Sequence, residues 1–383
     1  MQVLPTSVAV YKVLFICGTL ELAKSGVADY IDCLASELTR QGFQCACIAL
    51  HDPYAPAQIN DPPLSWQPHE VPVKRLSSRI PWLDRTALLK AELQALNPDW
   101  ISFHYVPYAY HLKGLPLGLL RCLAPVRRAA PWQIMAHELW VDPHAGLRNR
   151  LLSPLQQWIA RLLFLMVRPR VVHVTNHWYQ SMLSGCGITS RILPLFSAIP
   201  FSLGDSAADH PPSQWTFVLF GAINRDWSPE PLLQQIESAR VHHGIETCRF
   251  ISVGNAGDYG ASLWDSLTSP AYPSFTFSSL GELPAERVSE QLQQADFGIA
   301  VMPSHLVDKS SAVAAMVSHG LPVIISRVSN NCDQWHQSLK RTGHFILLES
   351  SFALALGSAS KYPPVNTLEV TARQFVSDLE LAV

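Results

Sequence analysis

Between Asp296 and Ser326 the chain reads DFGIAVMPSHLVDKSSAVAAMVSHGLPVIIS. Asp296 to Val301 is an apolar run of strand length, Pro303 to Lys309 is polar, and Ser310 to His319 has helical character. Gly320 can stop that helix, and Leu321 to Ile325 is apolar again. Strand, polar loop, helix, glycine and strand in this order restrict the chain to an α/β architecture. Ser310 or Ser311 can cap the helix, its first N–H groups then point outward, and Lys309 stands beside them. A phosphate binds in such a place, although an ordinary solvated loop has the same pattern, so other parts of the chain must decide.

The same grammar recurs along the chain. Ala9–Cys17 is a strand that empties into Gly18, Gly26–Arg40 is an amphipathic helix, and Phe43–Leu50 is the next strand. The helix's apolar stripe is Val27, Tyr30, Ile31, Leu34 and Leu38. Gly18 and Gly26 are too far apart for the dinucleotide fingerprint G-x-G-x-x-G, which sets aside a nicotinamide enzyme. After a proline-rich excursion come helix Leu83–Leu96 and strand Asp99–His104. Strands follow at Trp132–His137 and Val171–Thr175, with a long helix, Gly146–Val167, between them.

His104, His137 with Glu138, and Asn176 with His177 therefore fall at three successive strand ends. Ligands collect at the carboxyl ends of strands in open α/β sheets, so the three are expected to point at one crevice. A second series runs from Trp215–Phe220 through Pro231–His243, Cys248–Val253, Ser274–Phe277 and Ala285–Gln294 to the stretch above. Thr367–Leu381 is a closing amphipathic helix.

The 383 residues suit two domains, and 48% hydrophobic content fills two cores. Charged residues make up only 15%, which argues against a nucleic-acid-binding arm. Charge is nonetheless uneven: Arg121 to Arg170 holds eight arginines against Glu138 and Asp142, net +6, in a chain of formal charge −2. Two readings stand, a solvated face with Gly146–Val167 as a core helix, or an interfacial helix on anionic lipid. The eight cysteines lie in apolar contexts and read as reduced, and Cys45-x-Cys47 has no second pair to make a zinc site. No signal peptide and no uncharged apolar run of about 18 residues is present, so a cytoplasmic location is expected, with peripheral contact at the inner membrane face through 121–170.

Five stretches together carry a family resemblance: SGVADY (Ser25–Tyr30), AHE (Ala136–Glu138), FGAINRDW (Phe220–Trp227), LGELPAERVSEQLQQADFGI (Leu280–Ile299) and KSSAVAAMVSHGLPVI (Lys309–Ile324). The last two, in that order, are the specific part, and the chain resembles GT-B glycosyltransferases over nearly its whole length. The resemblance implies two Rossmann-like domains facing across a cleft. The acceptor-side domain would span 1–195, a linker 196–213 and the nucleotide-sugar domain 214–362. Residues 363–383 would form a C-terminal helix that crosses back to the first domain.

By the same resemblance, Gly26 is the loop glycine at the donor phosphates and His137 lies by the transferred sugar. Arg225, His305, Lys309, Ser310 and Ser311 are donor-binding, with the cation and helix-start groups on the diphosphate. Fixed cations and aligned N–H dipoles stabilise the charge that a departing nucleoside diphosphate gains. Retention requires no base; inversion would use His104, His137 or Glu138. Two departures stand out. Ala315 sits where many relatives have a ribose-binding Glu, and Trp227–Leu233 lacks their Lys, a charge Lys309 would supply. No cofactor and no metal motif is expected. The partners are a nucleoside-diphosphate sugar and an acceptor that is a glycan, a lipid-linked group or a small molecule. A nucleotide-sugar epimerase or a non-catalytic binding module of the same fold are the rival readings.

Overall fold

The structure, a computed structural model, describes residues 11–22, 24–57, 62–67, 69–143, 146–201, 211, 213–267, 272–329 and 333–382. The chain divides into two compact units, one made of Met1–Leu193 with Leu368–Val383 and the other of Pro194–Thr367. The linker expected at 196–213 falls largely on residues outside the described ones, as do the first residues of the expected strand Ala9–Cys17.

In the first unit the elements are β1 (Lys12–Cys17), α1 (Gly26–Arg40), β2 (Gln44–Asp52), β3 (Val73–Ser77), α2 (Trp82–Leu96), β4 (Trp100–Tyr105), α3 (Leu117–Leu123), β5 (Trp132–Ala136), α4 (Leu147–Val167), β6 (Val171–Val174), α5 (His177–Ser184) and β7 (Arg191–Ile192). The seven strands form one parallel sheet in the order β3-β2-β1-β4-β5-β6-β7. Its central strands are buried at every position of β4 and β5, which is why they read as unbroken apolar runs rather than alternating ones.

The second unit holds β8 (Gln214–Phe220), α6 (Glu230–His243), β9 (Thr247–Val253), α7 (Gly257–Ser266), β10 (Phe275–Ser279), α8 (Ala285–Gln294), β11 (Phe297–Pro303), α9 (Ser311–Ser318), β12 (Val323–Arg327), α10 (Asp333–Thr342), β13 (Phe345–Leu347) and α11 (Phe352–Ser358). Its six strands are parallel in the order β10-β9-β8-β11-β12-β13. The last helix, α12 (Thr367–Glu380), belongs to the first unit and stacks Phe375 on Phe15 of β1 with ring centroids 6.1 Å apart.

On α1 the buried stripe is Ala28, Tyr30, Ile31, Leu34, Ala35 and Leu38, with Val27 only half-buried. The polar segment expected at Pro303–Lys309 is a 3-10 turn, Ser304–Lys309, whose Ser304 and Val307 are buried. The sequence does not announce α3, α5, α7, α10, α11, β7 or β13. They are short, and α7 carries two glycines in GDYGASLWDS, so local periodicity is weak and packing on the sheets decides. Cys332 lies outside the described residues; the other seven cysteines are unpaired, and burial pushes the Cys45 thiol up to about 12.

Candidate functional site

Strand order reverses between β8 and β11, so the loops leaving these two strands part and leave a crevice at their carboxyl ends. After β8 the chain turns through Gly221, whose φ of +87° suits glycine, and its N–H donates to Val253 O at 2.8 Å. A Cβ built on Gly221 would lie 3.7 Å from Ala312 Cβ, so this loop runs against the first turn of α9. Farther along, the Trp227 indole N–H donates to Ser326 Oγ at 2.9 Å, and Ser326 in turn donates to Ala300 O at 2.9 Å. The loop is thus pinned at both ends, with Arg225 exposed between buried Ile223 and Trp227.

The other side of the crevice is built by the 3-10 turn and α9. Ser310 is the cap residue: its backbone is extended and its Oγ accepts from Val313 N at 3.2 Å. A helix start cannot satisfy its first N–H groups internally, which leaves those of Ser311 and Ala312 at the strand ends. Lys309 closes the turn just before the cap and is half-buried. The turn is held in place by hydrogen bonds between His305 Nδ1 and Ser329 Oγ (2.8 Å) and between Ser304 Oγ and His336 Nε2 (2.9 Å). Arg225, Lys309, Ser310 and Ser311 therefore gather around one switch point within one unit. Ala315 lies on the buried face of α9 beside Val313 and Met316.

In the first unit the reversal lies between β1 and β4. The glycine under close constraint there is Gly18: a Cβ on it would lie 2.6 Å from Ala109 Cβ in the turn after β4. Gly26, by contrast, opens α1 with no neighbour within 4 Å of an added Cβ among the described residues. Asp52, buried at the end of β2, accepts from Leu20 N at 3.1 Å and from Arg75 Nε at 2.7 Å, fixing the loop after Gly18. Burial alone would raise the Asp52 pKa, but these donors together hold it below the ordinary carboxylate value.

Of the three strand-end groups, His104 and His137 meet each other, while Asn176 and His177 open α5. His137 follows β5, donates its backbone N–H to Tyr105 O at 3.1 Å, and is buried with its ring edge-on to Tyr30 at 5.0 Å. His104 is fully buried, with Nδ1 2.8 Å from His137 Nε2 and Nε2 3.1 Å from Ser102 Oγ. Both of its ring nitrogens are used, so His104 has no lone pair to offer a substrate and is not the base expected from its strand-end position. Asn176 is the cap of α5, accepting from Tyr179 N at 2.8 Å, and His177 pairs with Gln180 at 3.2 Å.

What the histidines do join is a buried polar row across the sheet. Ser102 Oγ lies 2.6 Å from Gln133 Oε1, Gln133 Nε2 lies 3.0 Å from His173 Nδ1, and His173 Nε2 lies 2.9 Å from Asp378 Oδ2. Arg191 Nη1 completes it at 2.5 Å from Asp378 Oδ1. A carboxylate only accepts, so His173 carries its proton on Nε2 and accepts at Nδ1 from the Gln133 amide. Gln133 Oε1 then accepts from the Ser102 hydroxyl, whose oxygen accepts from His104 Nε2–H. Neutral His104 accepts at Nδ1 from His137 Nε2–H. Burial, followed by the nearby His137 and His173, holds His104 well below the ordinary imidazole value and keeps it neutral. Asp378 on α12 thus sets one donor direction and one tautomer from end to end.

Ser102, Gln133, His173 and Asp378 were readable only as polar residues inside apolar runs such as WISFHY, WQIMA and VVHV. Asp378 had no signal beyond its place on an amphipathic helix. Among the described residues no group of three or more His, Cys, Asp or Glu is assembled as for a metal ion.

Neither a protein-family model nor a curated protein matches the sequence. Solved structures do. Trehalose 6-phosphate synthase from Burkholderia multivorans is similar at a TM-score of 0.55 and 12% identity, over 97% of this chain and 98% of that one. The catalytic domain of starch synthase IV from Arabidopsis thaliana, bound to ADP and acarbose, is similar at a TM-score of 0.52 and 12% identity, over 98% and 99%. A candidate UDP-N-acetylglucosamine 2-epimerase from Listeria monocytogenes is similar at a TM-score of 0.53 and 9% identity, over 97% and 96%. The two parallel sheets with their interleaved helices are the GT-B fold of these proteins.

Proposed function

We propose that the protein is a glycosyltransferase that moves a hexosyl group from a nucleoside-diphosphate sugar to an acceptor, with retention. The observation that carries this reading is the crevice between β8 and β11, where Arg225, Lys309 and the start of α9 meet in a fold shared with sugar-transferring enzymes. In this reading the diphosphate lies against the N–H groups of Ser311 and Ala312, and Arg225 and Lys309 take up the charge that grows as the glycosidic bond breaks. These cations are the protein's own, so the proposal includes no metal ion and no further cofactor.

His137 is assigned to the sugar, held in one tautomer by the row that ends at Asp378. Retention fits a first unit in which His104 is closed off as a base; Glu138 remains the group that an inverting reaction would use. The fold of the epimerase neighbour supports a second reading, in which the same crevice binds the donor but no acceptor is used.

A thermal-shift screen across UDP-, GDP-, ADP- and TDP-sugars tests the donor. A ligand at about 100 times its Kd stabilises by about 2.7 kcal/mol. Release of nucleoside diphosphate by slow hydrolysis supports transfer, and a C2-epimerised sugar supports the second reading. Absence of both shift and turnover across the panel overturns the assignment.

A further inference from the structure

Helix α4 presents two apolar faces, and only one of them is used by the fold. Ser153, Gln156, Ile159, Ala160, Leu163 and Val167 face the first unit's interior. On the other side Leu147 is 81% exposed, Leu151 77%, Leu155 53%, Trp158 57% and Leu165 70%. At about 100° per residue these five positions fall within one arc of roughly 80° running the length of the helix. Exposed Arg150 and Arg161 flank that arc on one side and exposed Arg148 on the other, and α4 contains no acidic residue. Past the helix end, Arg161, Arg168 and Arg170 border a cavity of about 410 Å³ whose walls include Phe164, Val172 and Ile188.

Single exposed leucines are ordinary, but a continuous stripe with a tryptophan and an arginine border is not. We infer that this face of α4 lies in the headgroup region of an anionic phospholipid bilayer. The leucines and Trp158 enter the acyl boundary, the flanking arginines contact lipid phosphates, and the terminal cavity receives one headgroup with part of its chain. Charge complementarity selects this occupant over a second copy of the chain: a two-fold contact through α4 would set arginine against arginine with no carboxylate to answer it. Among the described residues no helix is long and apolar enough to cross a membrane, so attachment is by the surface of α4. As a core helix requires, α4 buries Ile159, Ala160, Leu163 and Val167, but Trp158 and Leu165, expected among its apolar residues, are turned outward.

Flotation of the full chain with vesicles tests the inference, using phosphatidylcholine alone or mixed with phosphatidylglycerol. The chain should float with the mixed vesicles, less as salt is raised, and stay behind with phosphatidylcholine. Leu151→Glu/Leu155→Glu and, separately, Arg150→Glu/Arg161→Glu should each weaken partition about tenfold or more while the thermal melt is unchanged. No flotation with the mixed vesicles, or flotation that both pairs leave intact, overturns the inference. So does self-association in sedimentation that Leu151→Glu/Leu155→Glu abolishes, since a second copy would then cover the face. Donor binding measured without vesicles is a separate readout, so failure here leaves the proposed activity standing.

Discussion

His173 Nε2 lies 2.9 Å from Asp378 Oδ2 although the two residues are 205 positions apart, and this bond ties β6 to the C-terminal helix. It also sets the hydrogen-bond direction that reaches His137 through Gln133, Ser102 and His104. Removing its acceptor should therefore be felt both in stability and at the far end of the row. Asp378→Ala leaves buried His173 N–H and Arg191 without their carboxylate, and a loss of about 3 kcal/mol is expected in urea unfolding. Asp378→Asn should cost less, because the amide oxygen still accepts from His173. Equal stability of Asp378→Ala and the parent would contradict this account.

Stability should fall on mild acidification. Burial lowers the pKa of His104, with His137 and His173 adding to it, and burial lowers that of His173 against the opposing pull of Asp378. The unfolded chain takes up these protons near pH ~6.5, while the folded chain does not. Their contribution is thus fully present above that pH and declines below it, by up to about 1.4 kcal/mol per pH unit for each histidine. His104→Gln cannot bind a proton and should flatten the slope of melting temperature against pH. Parallel slopes in parent and variant would rule out His104 as a source.

Lys309→Ala should lower kcat/KM by about tenfold to a hundredfold, the loss of one charge-assisted phosphate contact. Its melting temperature should stay near that of the parent, since Lys309 is half-buried on a turn held by Ser304 and His305. Arg225→Ala should behave alike. Normal turnover in both variants would remove the β8–β11 crevice from the reaction.

Two glycines at helix ends should respond very differently to alanine. Gly320 after α9 has φ +79°, and an added Cβ would lie 2.0 Å from Tyr362 O, so Gly320→Ala must displace backbone and should cost about 3 kcal/mol or more. Gly244 after α6 has φ +68° with open space, among the described residues, and Gly244→Ala should cost only about 1 kcal/mol. Chemical denaturation of the two variants measures the difference.

The sequence by itself determined the alternation of strand and helix, the boundaries of α1 and α8, the glycine that ends α9, and a serine cap at Ser310 or Ser311. These rest on local periodicity and on backbone groups that must be satisfied within a few residues. It also placed Lys309 in the polar loop after an apolar strand run, whereas Arg225 was singled out by the family resemblance of FGAINRDW. The tertiary structure alone decided that β8 pairs with β11, which is what brings those two residues to a common crevice. It likewise decided that His104 is closed inside a polar row, that Gly18 rather than Gly26 is crowded, and that α4 turns leucines outward. Strand order and burial depend on which distant surfaces meet, and no window of neighbouring residues carries that information.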